Sequence, residues 1–173
     1  ASQGYTTGSE AGSSRKMALI VEAKDTVSVV AQSTKPASCD AALIYPIEAL
    51  GVDYRIVSFA GDLWSGFGNT NYKSSFAIVA TENNTVIDIT PTCATEGGKA
   101  ANSTFTVTLQ KGETYQVKAN SNKLDLSGTL VQAKDCKKIA VFGGATRAVI
   151  LHSTCSGGIN SADHLYEQMM PIN

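Results

Sequence analysis

Charge is scarce in this chain. Asp, Glu, Lys and Arg together make up 17% of its 173 residues, the formal net charge is −1, and no basic run exceeds the Lys137-Lys138 pair. An electrostatic case for nucleic acid or an anionic membrane surface therefore does not arise. Histidine is scarcer still, with two residues, and the four cysteines stand far apart with no CxxC spacing. A structural zinc needs clustered ligands, so none is expected, and no other cofactor is implied. No apolar run approaches the length of a membrane span, and no stretch sustains the 3.6-residue period of an amphipathic helix. The chain carries no initiator Met and no secretory leader, which reads as a processed segment of something longer.

What remains is neutral and polar, with 43% apolar residues and 15 glycines. A single domain of this size can bury a stable core without a metal. Residues 1–15 are small, polar and aperiodic, the composition of a flexible lead-in. From residue 16 to 173 the texture changes to short apolar runs between turn residues. Met17–Glu22 and Thr26–Gln32 are β-branched segments joined at Lys24-Asp25. Ser75–Ala80 and Thr85–Thr90 alternate on either side of Glu82-Asn83-Asn84, which predicts a hairpin. Thr104–Leu109 puts Phe105, Val107 and Leu109 on one face, and Thr114–Ala119 directs Tyr115 and Val117 inward. Leu124–Val131 and Lys138–Phe142 add further strands, Gly143-Gly144 interrupts the pattern, and Ala148–His152 is a last short strand. The pattern predicts an all-β protein, an antiparallel β-sandwich of Greek-key or jelly-roll type with about ten short strands. The one segment with helical character is Asp163–Met169, near the C-terminus.

An even number of cysteines in a Ser-, Thr- and Gly-rich β-protein fits two disulfides in an oxidising compartment. Three connectivities are open. Cys136 and Cys155 bracket one apolar strand and its return, which favours that pair and leaves Cys39 with Cys93. Asn83-Asn84-Thr85 and Asn102-Ser103-Thr104 are acceptor triplets for glycosylation at Asn83 and Asn102. All of this points outside the cell, to a secreted or cell-surface protein.

Candidate chemistry is thin. Asp163, His164 and Glu167 could ligate a metal if a helix placed His164 and Glu167 on one face; as structural residues, Asp163 caps the helix and Glu167 or Gln168 satisfies backbone groups. Neither histidine is set beside a nucleophile elbow, and Gly61-Asp62-Leu63-Trp64-Ser65-Gly66 lacks the GxSxG spacing. No catalytic role is expected. Binding is the better reading: the Gly61–Tyr72 loop offers Trp64, Phe67 and Tyr72 among Gly and Asn, suited to a sugar face or a protein pocket. The alternative is that Trp64 folds back as a lid over the core.

Seven pieces then recur in a fixed order: MALIVEAKDTVSVV at 17–30, YPIEALGVDY at 45–54, AIVATENNTVIDITP at 77–91, TLQKGETYQV at 108–117, DLSG at 125–128, KIAVFGG at 138–144 and DHLYEQMMP at 163–171. Together they resemble the N-terminal domain family of IgGFc-binding protein, found in secreted mucus-associated animal proteins and large bacterial surface proteins. The family carries Pro where Met170 stands and continues past the closing Pro with a Trp-Gly step. The resemblance implies a slice of a longer multidomain protein, a non-enzymatic adhesion or binding module for protein or glycan partners. It also implies flanking domains or neighbouring chains of one assembly, whose strands would pair with open sheet edges. A carbohydrate-active enzyme is the remaining alternative.

Overall fold

The computed structural model describes residues 12–16, 18–35, 38–61, 72–149 and 162–172. Among them lie eleven strands: β1 (Ser14–Lys16), β2 (Val29–Lys35), β3 (Ser38–Ile44), β4 (Asp53–Arg55), β5 (Ser74–Ala80), β6 (Thr85–Thr90), β7 (Phe105–Leu109), β8 (Glu113–Lys118), β9 (Leu130–Ala133), β10 (Ile139–Val149) and β11 (Ala162–Gln168). Every pairing is antiparallel. One sheet runs β1-β8-β5-β10-β11, a second runs β4-β9-β6-β7, and β2 with β3 makes a separate hairpin. The only helical turn among the described residues is a 3-10 turn at Ile47–Ala49, not the expected one near the C-terminus.

Alternation explains the sandwich. β5 buries Phe76, Ile78 and Ala80, β8 buries Tyr115 and Val117, and β10 buries Ile139 and Val141. Facing them, β6 supplies Ile87 and Ile89, β7 Leu109, and β9 Val131 and Ala133, in one contiguous core. Two sheets with one apolar face each bury those faces only against each other.

The expected β5–β6 hairpin is not one. β5 pairs with β8 and β10, whereas β6 pairs with β7 and β9, so residues 81–84 arch from one sheet to the other. The β7–β8 turn, with Gly112 at φ +78, makes a second arch. The two satisfy each other: the Gly112 amide donates to the Ala80 carbonyl at 2.9 Å, and the Lys111 amide to Asn83 Oδ1 at 3.0 Å. Strict alternation is common to a hairpin and an arch, so the sequence pattern alone does not separate them.

Other expectations shift. Residues 18–23 form no ladder, and the pairing begins at Val29. Lead-in residues Ser14 and Arg15 belong to β1, on the edge of β8. Gly143-Gly144 does not end a strand; β10 passes through it to Val149, with a register shift against β11 between Ala145 and Ala148. No disulfide is formed where one was expected between Cys39 and Cys93, and Cys136 is also a free thiol, its proposed partner Cys155 lying outside the described residues. Cys93 is buried in the sandwich core and Cys39 stands exposed on the β2–β3 hairpin, so the two sit in different layers.

Tyr54 latches the two sheets. It projects from β4 into the core, fully buried, where its hydroxyl donates to the Ile139 carbonyl of β10 at 2.7 Å and accepts the Gly51 amide at 2.9 Å. Burial pushes its phenol pKa up, opposed by the Gly51 bond. Tyr54→Phe leaves a buried carbonyl and an amide without this partner and is expected to cost about 1–3 kcal/mol in urea unfolding. An unchanged midpoint would show that the latch contributes nothing.

Candidate functional site

Asp163–Gln168 is a strand, and this changes what its side chains can do. Its main-chain groups pair with β10, from Phe142↔Gln168 to Val149↔Ala162. The neighbouring strand overrides the local helical character of the sequence. In a strand, residues three apart point to opposite faces. His164 is accordingly buried, with Nδ1 3.0 Å from the Ala145 carbonyl, while Glu167 is exposed. Among the described residues no three His, Cys, Asp or Glu side chains gather as metal ligands. Asp163 does not cap a helix either.

Asp163 instead joins β11 to β3. Its Oδ1 accepts the Ser38 hydroxyl at 2.7 Å, the Cys39 amide at 3.1 Å and its neighbour's His164 amide at 2.8 Å. Two residues on, the Tyr166 amide donates to Asp40 Oδ2 at 2.7 Å. At the far end the Tyr45 amide donates to Oε1 of buried Gln168 at 2.8 Å. No main-chain ladder links β3 to β11 among the described residues. Side-chain oxygens take its place all along the seam.

An open groove of about 270 Å³ lies beside this seam, lined by residues 57–58, by β10 and β11 with Met169, and by Asp40 of β3. Gly143 and Gly144 form its floor. A Cβ at Gly143 would overlap the Val57 carbonyl oxygen, and one at Gly144 the Leu165 carbonyl oxygen, so both positions require the bare backbone. Ser58 ties the crossing segment down, its hydroxyl hydrogen-bonded with Ser74 Oγ at 2.7 Å and with the Gly144 carbonyl. Below it Ser74, Asp125 and Ser127 continue the network, with the Ser127 hydroxyl 2.9 Å from Asp125 Oδ1 and the Ser58 amide 3.0 Å from Ser127 Oγ.

Val57, Leu165 and Met169 wall the groove, and Asp40 and Glu167 bring its charges. Tyr166 stacks on Phe142 with ring centroids 5.3 Å apart and planes at 1°. Burial, and then the Glu167 charge, push its phenol pKa up to about 12, so it stays neutral at physiological pH.

The other candidates lie apart. Trp64 and Phe67 fall outside the described residues. Tyr72 is half-buried, with the Arg147 guanidinium 5.1 Å from its ring centroid, and does not line the groove. Asn83 and Asn102 are both exposed in turns, but Asn83 already accepts the Lys111 amide. Of the groove residues, Glu167 and the Gly143-Gly144 pair were singled out by sequence. Asp40, Ser58 and Met169 were missed, because nothing local marks contacts made across long stretches of chain, 86 residues between Ser58 and Gly144 and 126 between Asp40 and Tyr166.

Residues 40–173 match the family model described as IgGFc binding protein. The curated IgGFc-binding protein of Homo sapiens is 29% identical over 159 residues, covering 90% of this chain. The chain spans 3% of that relative's length. No solved structure matches. No helix among the described residues is long and apolar enough to cross a membrane.

The seam carries a pH dependence. The Ser38 hydroxyl first, then the His164 and Cys39 amides, hold the Asp163 carboxyl below the ordinary carboxylate range. A depressed folded-state pKa means that its stabilisation is present above the unfolded value and is lost as pH falls through the folded one. The Tm difference between wild type and Asp163→Ala is therefore expected at neutral pH and should shrink below about pH 4. A difference undiminished in strong acid contradicts this role for the carboxylate.

Proposed function

This chain belongs to the IgGFc-binding protein family, and we propose that it is an extracellular, non-enzymatic binding module of a larger secreted or surface protein, holding a protein partner at the β3–β11 groove. The groove carries the reading: it is concave, apolar-walled and fixed in shape by a backbone floor, the features of a recognition site. Its one serine, Ser58, is occupied by Ser74 and the Gly144 carbonyl, the Tyr166 phenol stays neutral at physiological pH, and no histidine among the described residues lines the groove to serve as base. The human relative's name states that it binds IgG Fc, which makes the Fc fragment one partner to try. In an extracellular setting Asn83 and Asn102 are the residues open to glycosylation.

A second reading, assembly through a sheet edge, draws on a different surface. β2 pairs with β3 alone among the described residues. Val30 and Leu43, opposite each other in that hairpin, are 62% and 49% exposed, and Val27 is 57% exposed. An edge strand of this kind, apolar at Val30 and charged only at its last residue, Lys35, invites another strand.

One set of measurements separates the readings. The purified chain is applied to immobilised extracellular proteins, the Fc fragment included, and to a glycan array. Saturable protein binding that drops at least about tenfold with Leu165→Glu is expected, a change that puts a carboxylate into an apolar wall. Binding to glycans alone, or protein binding indifferent to Leu165→Glu, contradicts the groove. Concentration-dependent dimers abolished by Val30→Lys would favour the edge.

A further inference from the structure

The walls and the rim of the groove differ in chemistry, and the difference specifies an occupant. Val57, Leu165 and Met169 offer apolar surface, whereas both charged residues of the lining, Asp40 and Glu167, are acidic. Among the described residues no lysine, arginine or histidine lines it to balance them. Asp40 already accepts the Ala41 and Tyr166 amides. Glu167 pairs with Gly143 through its main chain, but its exposed carboxylate makes no hydrogen bond among the described residues. A carboxylate has about four acceptor positions, so both can take further donors.

We propose that the groove receives one arginine side chain of a protein partner, its methylene stem along Val57, Leu165 and Met169 and its guanidinium against Glu167 and Asp40. The proposal rests on the protein-binding reading and names the chemistry of the contact. Size comes first: about 270 Å³ is below the ~300–1,000 Å³ of sites that take whole small molecules, and suits one long side chain. Charge comes second. An apolar side chain would cover the two carboxylates without pairing them, which costs free energy, and an acidic one would be repelled. Lysine brings the right charge but a point-like ammonium; the planar fork of arginine can address two carboxylates and tolerates partial burial better. The neutral Tyr166 phenol adds no competing charge.

The test uses the full chain, labelled with nitrogen-15, and N-acetyl-arginine methylamide as the probe. Saturable shifts are expected at the Gly143, Gly144, Glu167 and Met169 amides, with millimolar affinity for so small a ligand. Rising salt should weaken them, and Glu167→Gln should weaken them by about fivefold or more. Because the Glu167 carboxylate bonds to nothing else described, that variant should keep the wild-type Tm. The norleucine analogue, which has the stem without the charge, should not saturate. Equal responses to both probes, or an arginine response untouched by Glu167→Gln, would overturn the arginine assignment. If arginine fails while partner binding still drops with Leu165→Glu, this assignment falls and the protein-binding reading stands. If partner binding ignores Leu165→Glu, the reading beneath it falls as well.

Discussion

Along one side of β11 the main chain pairs with β10, and along the other, side-chain oxygens stand in for a strand. Asp163, Asp40 and Gln168 supply those oxygens, accepting amides of Cys39, Tyr166 and Tyr45. The consequence is geometric. A hairpin docked through side-chain oxygens satisfies those amides without a main-chain ladder. Asp40 serves twice, accepting the Tyr166 amide in the seam and lining the groove beside it, so the seam sets one wall of the groove.

The rest of the fold holds the two sides of the seam in place. Sandwich packing fixes β10, and the Tyr54 hydroxyl fastens the opposite sheet to it at Ile139. Gly143 and Gly144 then let residues 57–58 cross close over β10 on one side and β11 approach on the other. Ser58 locks the crossing through Ser74 and Gly144. The bare-backbone floor and the polar seam together set the shape of the groove.

The sequence was most legible where alternation was complete. β6, β7 and β8 stand within a residue or two of their predicted bounds, with Phe105, Val107, Leu109, Tyr115 and Val117 directed as expected. Which sheet each strand joins was not legible, since β5 and β6 alternate identically as an arch or as a hairpin. Asp163–Met169 misled for a different reason. Its acid, amide and apolar residues suit a capped helix, and only the pairing with β10 makes it β11. Gly143-Gly144 marked an interruption of the pattern, without revealing that the Val57 and Leu165 carbonyls leave no room for a side chain there. Asp40 gave no signal at all, because its partner is the Tyr166 amide, 126 residues away. The Cys39–Cys93 pairing was only what the favoured Cys136–Cys155 pair left over, and elimination does not reveal that Cys93 is a core residue while Cys39 lies on an outlying hairpin.

The decisive observable is the acceptor of the Tyr166 amide. A scalar coupling through the hydrogen bond, measured by NMR between the Tyr166 amide nitrogen and its acceptor carbon, identifies that acceptor directly. Coupling to the side-chain carboxyl carbon of Asp40 is expected. Coupling to a backbone carbonyl carbon of β3 would mean that the two strands pair as an ordinary sheet and would contradict the side-chain seam.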